Sequence, residues 1–332
     1  MRPEIARNSL RALLIGCAAT FAGPAFAQPA LDPAEVNAAR LGEERPVAGE
    51  RHPLILRLQV LLDRANVSPG VVDGYLGENV EKALSAYARR EGFADADPLA
   101  PEIVEALLAG DVEPVLERYV ITADDLEGPF VESIPDDYAQ LAEMERLAYR
   151  GPQEMLAERF HMDQELLEAL NPDADFGSAG TEILVARPGE ALEEGTIARI
   201  AVDRSLGALR ALDEAGEIVV FYPATIGSAE TPSPSGTHEI VAVAMDPAYY
   251  YRPDVNFQQG DLDRQLEIPP GPNNPVGTVW IDLSEPTYGI HGTPTPDEID
   301  KDYSHGCVRL TNWDAEELAG LVEQGIPVEF VQ

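Results

Sequence analysis

The sequence predicts a multidomain α+β protein in which small α-helical modules precede a mostly-β C-terminal domain with one helix. Three observations predict this fold class. The chain has 332 residues, more than one compact core usually holds. Apolar residues recur at helical spacing before about residue 190. From about residue 196, short apolar runs with a period of two alternate with Gly and Pro clusters, which is typical of strands and turns.

The first 27 residues resemble an export signal. The apolar run Ala12–Phe21 follows three arginines and is too short for a permanent membrane anchor. Ala25-Phe26-Ala27 is the small-x-small pattern that precedes cleavage. We therefore expect an exported protein of the periplasm, the cell-wall space of Gram-negative bacteria. The alternative is a lipoprotein anchored through Cys17, because Leu14-Ile15-Gly16-Cys17 is similar to a lipobox. No later segment is apolar and long enough to cross a membrane.

A three-helix module is predicted at 53–110, after a linker at 28–52. Leu54–Leu62 is a dense apolar run that suits a buried helix. Asn79 is positioned to cap a second helix. The buried face of that helix repeats at i, i+3, i+4 and i+7, at Val80, Ala83, Leu84 and Tyr87. A third helix begins near Pro101 and ends at Gly110.

A second small module is predicted at 144–188, after an acidic, irregular linker at 111–143. Two short helices are indicated by apolar faces, one with Met155, Leu156 and Phe160 and one with Leu166, Leu167 and Leu170. Asn171-Pro172 interrupts the chain. A short strand follows at Ile183-Leu184-Val185.

The C-terminal domain is predicted at 196–331. Its strands are indicated by alternating or short apolar runs, at Ala198 to Val202, Val219 to Phe221, Ile240 to Val243, Val279 to Leu283, Tyr288 to Ile290 and Ile326 to Val331. One helix interrupts them. Thr311 or Asn312 caps this helix, and Gly325 ends it. Its buried face is formed by Leu318, Leu321 and Val322.

Charge and cysteine content limit the possible functions. The 23 Lys and Arg against 59 Asp and Glu give a formal net charge of −36. Such a surface repels nucleic acid and anionic lipid, because both are bound through Lys and Arg. Of the two cysteines, Cys17 leaves with the signal, so Cys307 has no partner for an intrachain disulfide. A lone exported thiol is either a small buried apolar group or a reactive one.

The residues around Cys307 favour the reactive thiol. A cysteine attacks as thiolate and needs a base, which either His291 or His305 supplies. His305 lies two residues before the thiol, where extended side chains stand parallel about 6.6 Å apart, so His291 from another strand is the better candidate. Gly306 permits a tight turn and brings backbone amides toward an oxyanion. Arg309 offers a positive charge for a substrate carboxylate. We see no spacing that assembles four metal ligands.

The stretch Tyr288-Gly-Ile-His291-Gly-Thr, followed by Ser304-His-Gly-Cys307-Val-Arg-Leu310, resembles the signature of the L,D-transpeptidase catalytic domain. Thr231-Pro-Ser-Pro-Ser-Gly236 and Gly271-Pro-Asn-Asn-Pro-Val-Gly277 are similar to that family as well. The resemblance covers roughly 196–331. It implies a cysteine acyltransferase that acts on peptidoglycan stem peptides, with no metal or organic cofactor.

The resemblance also implies a role for each site residue. Cys307 is the nucleophile and His291 the proton acceptor and donor, oriented by the backbone carbonyl of Gly292. His305 supports the site, and the amides of Gly306 and Cys307 bind the oxyanion. The substrate-binding residues are expected to be Arg309, Ser304, Tyr288 and Asn274.

The same resemblance leaves three outcomes open. In the first, the acyl group is passed to a neighbouring stem and forms a 3→3 cross-link. In the second, it is passed to water, by an L,D-carboxypeptidase or by a hydrolase that releases wall-anchored protein. In the third, the site is inactive and the protein is a wall-binding scaffold. Gly70–Gly77 is similar to a loop of the helical peptidoglycan-binding domain. Residues 144–188, with Glu154–His161 and Leu170-Asn171-Pro172, resemble a degenerate lysin-motif module. We expect a monomer that binds no nucleic acid.

Overall fold

The computed structural model describes residues 31–42, 45–93, 97–192, 196–227, 231–255, 258–301, 304 and 306–331. The predicted signal peptide and the alternative lipid site at Cys17 lie outside these residues. Within the described part of the chain, no helix is apolar and long enough to span a membrane. The predicted α+β class is confirmed, with helices in the N-terminal half and a mostly-β C-terminal domain.

Four helices form the first part of the chain: α1 (Pro33–Ala38), α2 (Pro53–Arg64), α3 (Glu78–Arg90) and α4 (Pro101–Gly110). The last three are the helices predicted at 53–110, but α3 begins at Glu78 with Gly77 at its N-cap, so Asn79 lies within the helix and does not cap it. Proline occupies the first turn of α1, α2 and α4, where its missing amide costs nothing. Every residue of α2 from Leu54 to Asp63 is buried, so this helix is the centre of the N-terminal core.

The predicted irregular linker at 111–143 contains regular structure. Strand β1 (Leu116–Val120) and helix α5 (Tyr138–Leu141) lie within it. β1 pairs antiparallel with β2 (Glu182–Ala186), the strand predicted at 183–185. Only Leu116 of β1 is buried, so the strand has no alternating apolar pattern and sequence periodicity could not reveal it.

The two predicted short helices of 144–188 are α6 (Pro152–Arg159) and α7 (Gln164–Leu170). Asp163 caps α7 by accepting a hydrogen bond from the Leu166 amide at 3.0 Å. Most buried side chains from α1 through β2 form one core, which also contains Ala208 and Phe221 of the C-terminal domain, whereas Leu141 and Leu147 pack with the β7–β8 hairpin. The domain boundaries at 110 and 144 remain predictions.

An eight-stranded sheet forms the C-terminal domain. Its strands are β3 (Arg199–Asp203), β4 (Ala208–Leu212), β5 (Ile218–Pro223), β6 (Gly236–Met245), β9 (Val279–Leu283), β10 (Gly289–His291), β11 (Val308–Arg309) and β12 (Pro327–Val331). Their order is β11-β10-β9-β6-β12-β3-β4-β5. A separate hairpin is formed by β7 (Tyr249–Tyr251) and β8 (Leu266–Ile268).

Helix α8 (Asn312–Leu321) follows β11 directly. The Thr311 hydroxyl accepts a hydrogen bond from the Asp314 amide at 3.1 Å, which caps the helix as the sequence predicts. Leu318 and Leu321 pack against the buried face of the sheet, together with Ile290. The helix ends at Leu321, four residues before Gly325, because Val322 adopts an extended conformation.

Candidate active site

Strand order brings the two halves of the predicted site together. β10 lies between β9, with which it pairs antiparallel, and β11, with which it pairs parallel. His291, the last residue of β10, stands opposite Trp280 on one side and Arg309 on the other. Cys307 immediately precedes β11. His291 therefore lies on β10 and Cys307 directly before the neighbouring strand β11, although fifteen residues separate them in the chain.

Alternation along the strands decides which side chains face the site. Ile290 and Val308 are opposite each other and fully buried in the core of the sheet. Their neighbours His291 and Arg309 therefore project to the other face. There they line a cavity of about 380 Å³. The other residues that line it are Tyr138, Thr231, Pro232, Tyr249, Val255, Pro275, Val276, Trp280, Thr287, Tyr288, Ser304 and Cys307.

The imidazole of His291 is held in one tautomer. Its Nδ1 lies 2.6 Å from the carbonyl oxygen of Gly292. A carbonyl can only accept a hydrogen bond, so Nδ1 carries the proton and Nε2 has the free lone pair. The indole of Trp280 stacks on the ring, with centroids 5.7 Å apart and planes 18° apart. The hydrogen bond and the stacking together fix the orientation of a side chain that is 6% exposed.

Burial keeps this imidazole neutral. It lowers the pKa of His291 to about 3, and the positive charge of Arg309 acts in the same direction. The hydrogen bond to Gly292 opposes both effects, since it stabilises the protonated ring. At neutral pH the ring is therefore uncharged and able to accept a proton.

Cys307 is a thiol in the same conditions. Burial raises its pKa, and this outweighs the Gly289 amide and Arg309, which both lower it. Sγ lies 3.8 Å from the carbonyl oxygen of Thr287. The side chain is partly exposed, so a ligand in the cavity has access to it. The resting site thus contains a neutral thiol and a neutral imidazole, and a thiolate forms only when a proton moves.

Gly306 allows the turn that presents Cys307. Its φ is +108°, and a Cβ there would lie 2.6 Å from the Tyr288 ring, so only glycine fits. Its amide donates to the Ser304 hydroxyl at 3.1 Å, and that hydroxyl donates to the carbonyl of Cys307. The Gly306 amide is therefore engaged in its own loop, whereas we expected it to be available to an oxyanion.

A second layer of hydrogen bonds holds this loop from the segment after β5. Ser233 Oγ donates to the Gly306 carbonyl at 2.7 Å and accepts from the Gly227 amide at 3.0 Å. Thr231 Oγ1 donates to the Ser304 carbonyl at 2.9 Å. The family resemblance of the sequence includes Thr231–Gly236 but implies no role for these hydroxyls. Their function depends on contacts across some 70 residues of chain, which no local pattern reveals.

The expected substrate-binding residues have different surroundings. Arg309 lines the cavity, and its buried Nε has no hydrogen-bond partner among the described residues. Tyr288 also lines the cavity. Ser304 is 3% exposed and bonded within its loop. His305 lies outside the described residues.

Asn274 is placed behind the cavity wall rather than in it. The side chain is fully buried, and its amide group donates to the carbonyl of Pro269 at 2.8 Å. Its Oδ1 accepts from the Val276 amide at 2.9 Å. These bonds occupy the Asn274 side chain within the loop that carries Pro275 and Val276 into the cavity, so its role here is structural rather than the expected contact with substrate.

Residues that the sequence did not single out complete the site. Tyr138 comes from the predicted linker, and its ring packs edge-on against Tyr251, with centroids 5.2 Å apart, and against Tyr249 at 6.1 Å. Trp280 supports His291. No group of three or more His, Cys, Asp or Glu suited to a metal ion occurs within the described ranges.

Known proteins are similar to this chain in the region of the site. The sequence profile of the L,D-transpeptidase catalytic domain, YkuD, matches residues 197–330. A protein of Bacillus licheniformis named as an L,D-transpeptidase, YkuD, is 34% identical over 179 residues, which are 53% of this chain and 92% of the relative. The YkuD protein of Bacillus subtilis is 31% identical over 175 residues, which are 52% and 89% of the two chains.

A solved structure of an L,D-transpeptidase from Xylanimonas cellulosilytica aligns with 88% of this chain and all of its own. The identity is 15% and the TM-score 0.38. A likeness at that level adds nothing on function, so the family assignment depends on the sequence matches.

Proposed function

Because the chain belongs to the L,D-transpeptidase family, whose members act on peptidoglycan, we propose that Cys307 is the nucleophile of a transpeptidase that forms 3→3 cross-links. One observation carries the proposal. Cys307 and His291 line one cavity, and the Nδ1 hydrogen bond to Gly292 leaves Nε2 free to take the thiol proton. The substrate is a tetrapeptide stem that ends in D-Ala.

The first half-reaction transfers the stem to the enzyme. His291 Nε2 takes the proton from Cys307 Sγ, and the thiolate attacks the carbonyl carbon between diaminopimelate and D-Ala. The C–N bond of the tetrahedral intermediate breaks, and the D-Ala nitrogen leaves with the proton from His291. A thioester on Cys307 remains.

The second half-reaction forms the cross-link. The side-chain amine of a neighbouring stem attacks the thioester carbonyl and passes a proton to His291. The C–S bond breaks, and Sγ takes that proton back. Cys307 and His291 carry the proton in both half-reactions. They are again a neutral thiol and a neutral imidazole at the end of each cycle.

Arg309 is suited to the carboxylate of the leaving D-Ala. The stem ends in a negative charge, and the net charge of −36 would otherwise repel it. An arginine in the cavity whose buried Nε has no hydrogen-bond partner among the described residues offers a charge-assisted hydrogen bond at low desolvation cost. His305 and the Cys307 amide complete the proposed site.

The rest of the chain fits an exported enzyme. We assign residues 1–27 to the signal and place the mature protein in the periplasm. The segments at 53–110 and 144–188 are proposed to bind the wall polymer. The enzyme is expected to act as a monomer.

Product analysis tests the proposal. Purified protein is incubated with tetrapeptide muropeptides, and the products are identified by mass spectrometry. We expect 3→3 dimers and free D-Ala from the wild type, and neither from Cys307→Ala. A carbapenem should add one adduct, on Cys307. Tripeptide without dimers would show that water is the acceptor, and an unmodified substrate with unlabelled Cys307 would refute the enzymatic role.

A further inference from the structure

One buried amide joins the loops around the catalytic imidazole. Asn312, at the start of α8, is 1% exposed. Its Oδ1 accepts from the Thr278 amide at 3.1 Å, and its Nδ2 donates to the Pro272 carbonyl at 3.2 Å. A Cβ on Gly292 would lie 2.2 Å from that Oδ1. Asn312 therefore packs directly against the residue whose carbonyl holds His291.

Gly277 comes to the same point from the neighbouring loop. A Cβ there would lie 2.0 Å from Asn312 Oδ1 and 2.6 Å from the carbonyl carbon of Gly292. Its φ is +61°, so glycine is required on both grounds. The orientation of one amide group thus sets the spacing between two loops, and one of these loops carries the hydrogen-bond acceptor of His291.

A further hydrogen bond holds that amide from outside the catalytic domain. Asn312 Nδ2 also donates to Glu158 Oε1, at 2.8 Å. Glu158 lies in α6, within the predicted N-terminal module, and the same oxygen accepts from the Tyr149 hydroxyl at 3.1 Å. The Pro272 carbonyl and the Thr278 amide already require the NH₂ group on one side and Oδ1 on the other, and the acceptor oxygen of Glu158 holds that NH₂ group toward α6.

We infer that Glu158 is a positioning residue for His291 and acts through Asn312. The inference depends on the proposed function, since it assigns Glu158 a part in the same reaction. It requires only an acceptor oxygen at this place. Burial raises the pKa of Glu158 to about 7, while its two donors lower it, and an oxygen able to accept is present in both protonation states.

A second contact between the same parts of the chain supports a rigid connection. Asn273 Nδ2 donates to the Ala148 carbonyl at 3.0 Å, and the Leu147 amide donates to the Pro270 carbonyl at 2.9 Å. The segment before α6 therefore holds the loop of Asn273 at one end while Glu158 holds Asn312 at the other. A module attached by a flexible linker alone would make no such bonds.

Two substitutions of similar size distinguish the loss of the hydrogen-bond acceptor from a change in side-chain volume. Glu158→Met removes the acceptor, and Glu158→Gln keeps one. We expect Glu158→Met to lower the maximal rate of acylation by a carbapenem about ten-fold, because a small displacement of a catalytic group costs rate. The half-saturating carbapenem concentration should stay within about two-fold, and Glu158→Gln should match the wild type in both. Arg159→Ala, which removes the ion pair of α6 with Asp125, serves as the control on the same helix.

A double-mutant cycle tests the route through Asn312. The double variant that combines Glu158→Met with Asn312→Ala should lose as much acylation rate as Asn312→Ala alone, because both substitutions break the same connection to His291. If Glu158→Met fails to fold, Asn312→Asp places two acceptors face to face. It should lose activity as pH rises, and the double variant E158Q/N312D, which exchanges donor and acceptor, should recover it.

The tautomer of His291 gives a readout that is independent of turnover. The ¹⁵N shifts of the imidazole should report a proton on Nδ1 in the wild type and Glu158→Gln, and a mixture of tautomers in Glu158→Met. The inference would be overturned if the fold-losses in acylation rate of the two single variants multiply in the double variant. It would also be overturned if Glu158→Met has the rate and the ¹⁵N spectrum of the wild type. If the wild type is never acylated but the His291 spectrum differs between the wild type and Glu158→Met, the proposed function would be refuted and the positioning role would remain.

Discussion

His291 and Cys307 are both uncharged at neutral pH, and burial is the main cause for each. Removing a group from water disfavours its charged form, so the pKa of the base falls to about 3 and that of the acid rises. Arg309 lowers both pKa values, which hinders protonation of the ring and helps ionisation of the thiol. The pair therefore differs from a preformed thiolate–imidazolium, because proton transfer has to accompany attack.

These pKa directions predict a wide plateau in the pH dependence of acylation. The rate should fall only as His291 gains a proton, near pH 3 to 4, and should stay level through neutral pH. Alkylation of Cys307 by iodoacetamide, which needs free thiolate, should instead be slow at pH 7 and rise in alkaline solution. Stopped-flow acylation and mass spectrometry of alkylated protein measure the two profiles. An acid limb centred near pH 6.5 would contradict the neutral pair.

At the scale of elements, the loop before β11 and helix α8 impose opposite demands on glycine. Gly306 has a φ of +108° and the Tyr288 ring beside it, so the loop needs a residue without a Cβ. Gly320 is in the last turn of α8, and a Cβ there would meet no atom within 4 Å. A helical glycine without such a demand mainly adds entropy to the unfolded chain.

Replacing each glycine by alanine should therefore have opposite effects. Gly306→Ala should lower the acylation rate at least about ten-fold, because the Cys307 backbone has to move. Gly320→Ala should raise the free energy of unfolding by roughly 0.5–1 kcal/mol and leave acylation unchanged. Urea unfolding and carbapenem labelling measure both quantities. Full activity in Gly306→Ala would show that this turn does not position the thiol.

At the scale of the whole molecule, a buried polar cluster joins the N-terminal part to α8. His161 Nδ1 lies 2.8 Å from Asp63 Oδ2, and the His161 ring stacks on Trp313 with centroids 5.0 Å apart. Asp314 accepts from the Ser68 hydroxyl at 3.1 Å. Burial raises the pKa of Asp314 to about 7. The pKa of His161 is also raised, because burial is outweighed by the charge and hydrogen bond of Asp63.

This cluster predicts that stability falls as pH rises from 5 to 8. A carboxyl whose folded pKa lies above its unfolded value of about 3.8 holds a proton that the unfolded chain has lost, so folding is disfavoured progressively up to pH 7. The raised pKa of His161 lowers stability in the same direction above pH 6.5. Each such group changes stability by at most ~1.4 kcal/mol per pH unit. Calorimetric Tm values should decline across this range, and less steeply in Asp314→Asn. An equal slope in that variant would contradict the assignment.

Local sequence signals accounted for the elements that have their own pattern. The helices at 53–110 and the Thr311 cap were predictable because apolar spacing and capping chemistry are local. Strand β1, helix α5 and strand β11 were not, since each is short and is held by residues elsewhere in the chain. Their pairing energy comes from tertiary contacts.

The sequence by itself determined the family and the chemical groups, because nucleophile, base and flanking glycines lie in one short motif. Only the tertiary structure decided their state. It places the proton of His291 on Nδ1 and engages the Gly306 amide within its own loop. It also buries Asn274 behind the cavity wall and places Tyr138 in the cavity lining. It also placed Glu158 beside Asn312 across 154 residues of chain. The physical reason is that burial and hydrogen-bond partners, which set pKa and orientation, are properties of residues brought together in space.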